Sequence, residues 1–228
     1  MERERVFKPT LFIAFAAAQL SAAESQASLE ARLNQSAAVF HTMSARIARE
    51  QYTAVIGDKS IETGHMWMKR VKPGDTRVRI DFNEPDTRTV IYQNRRGEVF
   101  NPKINVVQEF DLAKYRNMVD QFLLLGFGAS AKSLQHEYTV KVLREETLNG
   151  KKTTVMELIP KSAEFREQIT KVEMWIQEGD AYPVRQKFHK PSGYEMTTYS
   201  DMKVNAPVPD EEFKLKLPKG AKREKLSP

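Results

Sequence analysis

The chain has 228 residues, with 36 Lys and Arg against 30 Asp and Glu, a formal charge of +6, 40% hydrophobic residues and a mean hydropathy of -0.55. That is long enough for one sizeable core and polar enough to be globular. The absence of cysteine excludes a disulfide framework, thiolate chemistry, a thiolate metal site and a lipid-modified cysteine. Residues 1–10 carry Arg3, Arg5 and Lys8, residues 11–20 are apolar but too few to span a bilayer, and Ser21, Ala22 and Ala23 are small. This order predicts a cleaved export signal over residues 1–23, with a second cleavage point after Ala27. No later apolar run reaches spanning length, so the mature chain is expected to be soluble in the compartment to which it is exported.

Ser28 can cap a helix whose apolar positions Leu29, Leu33, Ala37, Phe40, Met43 and Ile47 recur at steps of three and four. From Glu50 the period becomes two, which predicts strands over residues 52–56, 61–70, 77–82, 88–93 and 104–110. Gly57-Asp58, Pro73-Gly74, Glu84-Pro85 and the stretch from Asn94 to Gly97 are the turn signals between them. Strands so closely spaced should pair antiparallel. In residues 77–82, Val78, Ile80 and Phe82 share a dry face, and Arg77, Arg79 and Asp81 a wet one. In Gly64-His65-Met66-Trp67-Met68-Lys69-Arg70, Met66 and Met68 share a face with Arg70, while His65, Trp67 and Lys69 take the other. An apolar strip that ends in a cation suits a sheet core with a basic edge, or a lipid-holding cavity with a polar gate.

Residues 111–125 predict a helix with Leu112, Tyr115, Met118, Val119, Phe122 and Leu123 on one side, ended by Gly126-Phe127-Gly128-Ala129-Ser130. A short helix follows over 131–136. A helical insertion in a meander has to cover something, and the open face of the sheet is the expected target. Gly126 and Gly128 read as helix C-caps or as hinges. Strands resume over 138–143 and 153–159 around the hairpin signal Asn149-Gly150. Residues 168–177 put Val172, Met174 and Ile176 on one face. Strands over 184–189 and 194–204 follow, and residues 213–217 should form a last short strand before the turn at Pro218-Lys219-Gly220.

His41, His65, His136 and His189 fall on separate elements with no metal-ligand spacing. No serine sits in a G-x-S-x-G elbow, and Gly126-Phe127-Gly128 follows a helix where a phosphate loop would follow a strand. Glu145-Glu146 and Glu211-Glu212 are expected at turns. No catalytic constellation emerges, so neither enzyme activity nor a cofactor is expected. The basic residues are scattered and not interleaved with aromatic ones, which argues against nucleic acid as a partner.

Taken together, the 29–47 helix, Gly64-His65-Met66-Trp67-Met68-Lys69-Arg70, the following strand and the hairpin ending in Val99-Phe100-Asn101-Pro102 resemble the LolA-like family, periplasmic carriers that ferry lipoproteins to the outer membrane. Met174-Trp175-Ile176, Tyr182-Pro183-Val184-Arg185, Phe213 and Leu217-Pro218-Lys219-Gly220 extend the likeness to the C-terminal half. Val71-Lys72-Pro73-Gly74-Asp75 departs from it, because the family has proline directly after the arginine. The resemblance implies an α+β, mainly β fold: a half-open antiparallel barrel or curved sheet, with an N-terminal helix and a helical lid over an apolar cavity, in one domain over residues 28–225. Lipid-binding residues would be Met66, Met68, Val78, Ile80, Phe82, Met118, Val119, Phe122, Leu123, Val172, Met174 and Ile176. Arg70 would hold the lid closed when the cavity is empty. Expected partners of the monomer are acylated lipoproteins or lipids, an inner-membrane lipoprotein export complex and an outer-membrane acceptor. Two alternatives stay open: a carrier of other lipids or glycolipids, and a lipid-sensing regulatory module. Regulators of that kind carry a further domain, and a chain ending just after the family's final strand counts against the second.

Overall fold

Period-two patterning dominates, and twelve strands form among residues 26–72, 75–113 and 125–226, which the computed structural model describes. The expected signal at 1–23 and Met118, Val119, Phe122 and Leu123 of the 111–125 helix lie outside the described residues. In chain order the elements are α1 (Gln26–Val39), β1 (Thr42–Thr53), β2 (Asp58–Lys72), β3 (Asp75–Glu84), β4 (Arg88–Gln93), β5 (Arg96–Asn101) and β6 (Val106–Asp111). Then come α2 (Ala131–Glu137), β7 (Tyr138–Leu148), β8 (Lys151–Pro160), α3 (Ala163–Gln168), β9 (Lys171–Gln177), β10 (Pro183–Lys190) and β11 (Gly193–Val204). A 3-10 turn at Asp210–Phe213 precedes β12 (Lys222–Leu226).

All twelve strands belong to one open sheet in the order β12-β6-β5-β4-β3-β2-β1-β11-β10-β9-β8-β7. Neighbours pair antiparallel except β12, which lies parallel to β6. Two meanders are joined at the centre by β1 against β11, where Met43 faces Val204 and Thr53 faces Gly193. Asn94-Arg95 and Asn149-Gly150 close tight hairpins with both central residues at positive φ, the geometry of the primed turns.

Several expectations fail in instructive ways. The helix predicted over 29–47 ends at Val39, and Met43 and Ile47 stand on β1. Residues four apart share a face in a helix and in a strand alike, so this pair could not separate the two periods. Ser28 lies inside α1, which starts at Gln26. The strand expected at 52–56 is the end of β1 and a turn, Arg96 and Gly97 of the expected turn open β5, and the strand expected from 168 begins only at Lys171, after α3. Glu145 and Glu146 lie on β7. The strand expected at 213–217 is absent. The 3-10 turn precedes that stretch, and the last strand forms at β12 instead.

One face of the sheet, here the inner face, carries α1, α2 and α3. Leu29 and Leu33 of α1 and Leu134 of α2 pack with Met156, Leu158, Val172, Met174, Ile176 and Phe188 in one core. A second core joins Phe40, Met43, Ala45, Ile47, Met66, Met68, Val78, Phe82, Tyr92 and Phe127. On the outer face the segment after β11 crosses β2, β3 and β4. Lys69 Nζ donates to the Val208 carbonyl at 3.3 Å, Arg79 Nη1 to the Glu212 carbonyl at 2.9 Å and Gln93 Nε2 to the Phe213 carbonyl at 3.0 Å. Beneath this strap Ile91 and Phe213 are fully buried.

Candidate functional site

Side-chain alternation aims Met66, Met68 and Arg70 of β2 at the inner face, with Ile80 and Phe82 of β3 beside them. Ile47 of β1, Thr197 and Tyr199 of β11, and Gln186 and Phe188 of β10 continue this surface across the junction of the two meanders. Phe127, fully buried, lies over it. All of these but Arg70 line a cavity of about 100 Å³, together with Arg49 and Glu195. Glycine at position 64 is required by the approach of β3: a Cβ there would lie 2.2 Å from the Asp81 carbonyl oxygen.

Phe127 covers the cavity, and the segment that carries it, residues 125–130, is pinned from both meanders. From β2, Arg70 Nη1 donates to the Gly128 carbonyl at 3.1 Å. From β10, Gln186 Nε2 donates to the Leu125 carbonyl at 2.7 Å and its Oε1 accepts from the Tyr199 hydroxyl at 2.6 Å. Burial pushes the Tyr199 pKa up, so the hydroxyl remains a donor. The Ala131 amide donates to Asn34 Oδ1 at 2.9 Å, tying the segment to α1. Phe127 meets Phe40 at 6.5 Å between ring centres, Tyr182 at 6.3 Å and Tyr199 at 5.2 Å. Burial, followed by the Asp180 charge, raises the Tyr182 pKa.

Arg70 does more than touch the covering segment. Its Nη2 donates to the carbonyls of Ala37 and Phe40, each at 2.6 Å, and its Nε to Phe40 again at 3.1 Å. These oxygens lie at the C-terminal end of α1, where backbone acceptors are orphaned and the helix dipole favours a cation. Asn205 Nδ2 takes a third, the Val39 carbonyl, at 2.9 Å. One guanidinium therefore ends α1, holds Gly128 and lies 5.4 Å from the centre of the Phe40 ring.

The residues expected from the sequence divide into three groups. Met66, Met68, Ile80 and Phe82 line the cavity, and Val78 is buried beside them in the same core. Val172, Met174 and Ile176 share the inner face but are packed beneath the helices in the other core. Met118, Val119, Phe122 and Leu123 lie outside the described residues. Gln186, Thr197, Tyr199, Phe127 and Arg49 were missed by the sequence reading. A larger recess, about 670 Å³, lies elsewhere, between β11 past its pairing with β10 and the turns near Asn149 and Asp180. Its mixed lining, with Lys151, Asp180 and Asp201 beside Met202 and Val204, lacks the convergence of apolar side chains that marks the smaller cavity. Among the described residues no group of three or more His, Cys, Asp or Glu could hold a metal ion, and no helix is long and apolar enough to cross a membrane.

A family profile described as an uncharacterized protein matches residues 129–206. An uncharacterized protein of Methanocaldococcus jannaschii is 34% identical over 146 residues, which make up 62% of this chain and 39% of the relative, so the chain spans about two fifths of that protein's length. Among solved structures, an uncharacterized conserved protein from Thermus thermophilus aligns with a TM-score of 0.54 at 10% identity, covering 89% of this chain and all of the other. MucB aligns with a TM-score of 0.50 at 13% identity, covering 83% of this chain and 62% of MucB. These two share the fold. A LolA superfamily protein from Nitrosomonas europaea also matches, with a TM-score of 0.40 at 15% identity over 85% of this chain and 99% of its own.

Proposed function

We propose that this protein is a non-catalytic carrier that takes acyl chains of lipids or lipoproteins into the inner-face cavity, and that Arg70 holds the empty cavity closed. The observation that carries this reading is the covering of Met66, Met68, Ile80 and Phe82 by a segment hydrogen-bonded to the sheet through Arg70 and Gln186. About 100 Å³ is the space of roughly three water molecules. A whole acyl chain enters only if residues 125–130 move away from the sheet. Each methylene buried contributes about 0.8 kcal/mol, and the polar contacts broken on opening offset part of it. That balance keeps cargo releasable. The flexible thioethers of Met66 and Met68 suit chains of varied shape. Transfer from an inner-membrane export complex to an outer-membrane acceptor, and the periplasm as its place, rest on the sequence resemblance.

Native mass spectrometry of the protein purified in the presence of triacylated lipoproteins tests this. An adduct is expected, and Arg70→Leu should retain it longer on dilution. A lipoprotein-sized mass would assign the cargo to lipoproteins, and one the size of a free lipid would assign it to other lipids. An empty mass across varied lipid mixtures would overturn the carrier and favour a protein-binding module.

A further inference from the structure

The cavity's lining ends in charge. Alternation places Arg49 on the inner face two residues beyond Ile47, with its Cα opposite Thr197, and Arg88 stands opposite Phe82 at the start of β4. Their guanidinium carbons lie 4.4 Å and 4.1 Å from the centre of the Phe82 ring, itself part of the apolar lining. A single carboxylate joins them: Glu62 Oε2 accepts from Arg49 Nε at 2.9 Å and also from Nη2, and Glu62 Oε1 takes Arg88 Nη1 at 2.6 Å. Arg49 Nη1 comes only to 4.0 Å from Glu195 Oε1, while Glu195 takes Lys190 Nζ at 3.2 Å. Three cations thus face two carboxylates. The arginine side chains keep about a fifth of their surface exposed, at 20% and 22%, so solvent reaches them from outside.

We propose that this rim seats one anionic group, a carboxylate or a phosphate, at the head of an acyl chain whose apolar part lies along Phe82, Ile80, Met66 and Met68. The inference rests on the acyl-chain reading above and names the class of cargo within it. Two planar guanidinium forks beside an apolar recess match an amphiphile with a single anionic head, since such forks bind carboxylate and phosphate oxygens bidentately. Partial burial strengthens that attraction relative to an open surface. Stacking on Phe82 keeps both forks at the end of the apolar lining.

Fluorescence titration of the full chain with cis-parinaric acid and with its methyl ester provides the test. The acid is expected to bind about tenfold more tightly than the ester, the usual worth of a charge-assisted hydrogen-bond pair. Arg49→Gln/Arg88→Gln should bring the ratio close to one. A triple variant that adds Glu62→Gln removes the cluster without stranding a carboxylate and should behave alike. Equal binding of acid and ester to the unaltered chain would overturn the anionic seat while leaving the acyl-chain reading intact. Failure of both to bind would overturn the two together. Displacement of the acid by an equimolar amount of inorganic phosphate would assign the rim to a free anion and also overturn the proposal; retention of the acid is expected.

Discussion

Gly128 carries two constraints at once. Its φ is +87°, and a Cβ there would lie 2.9 Å from both Arg70 Nη1 and the Phe40 ring. A side chain pays about 1–2 kcal/mol for a left-handed backbone, and it would also push the guanidinium off the Gly128 carbonyl. Gly128→Ala is therefore expected to lower stability by at least that amount in urea unfolding and to speed amide exchange in residues 125–130. The place of Arg70 at the end of the apolar face was legible in the sequence, because it falls two positions beyond Met68; its bonding to a covering segment was expected only from the family resemblance. Gln186 was not read as part of the site. Yet it alternates with Phe188 on β10, and a lone amide on a dry face implies buried partners.

At the scale of elements, α1 owes its place to tertiary packing more than to its own propensity. It presents Leu29 and Leu33, each 1% exposed, to α2 and the sheet. Leu33→Ala should cost about 2–5 kcal/mol, the range for a buried leucine that leaves a cavity, measured as a lower urea midpoint with an unchanged slope. Its C-terminus was misread because the spacing of Met43 and Ile47 fits both periods. What ends the helix is remote in sequence: Arg70 and Asn205 supply donors to its last carbonyls, and β1 pairs on both sides with β2 and β11. No local window contains those partners. Hairpins were the easiest elements to read, since Asn149-Gly150 carries its geometry in two adjacent residues.

For the molecule as a whole, acid is expected to be the sensitive direction. Burial pushes the carboxyls of Glu50, Glu62 and Glu173 up, but hydrogen bonds from Tyr194 and Lys59, from Arg88 and Arg49, and from His189 outweigh it, leaving all three below the ordinary 4.5. A carboxyl lowered by folding contributes stability above its unfolded pKa and loses it as the pH falls through the folded value. Thermal midpoints should hold from pH 7 to about 5 and then drop below about 4.5. Glu62→Gln should be less stable at pH 7, and its midpoint should fall less on acidification.

Strand-by-strand order was largely readable, whereas the seam between the meanders and the strap behind β2, β3 and β4 were not, because both join residues more than a hundred positions apart. That strap also sets a timetable. The outer side of the first meander stays unfinished until Phe213 arrives to lie against the back of the sheet, and the seam needs β11. Such a high contact order makes folding slow and nearly all-or-none with respect to chain completion. A chain still being made would hold β1 to β6 as unsealed strands, so the protein begins life dependent on whatever shields them until β11 and Phe213 are in place.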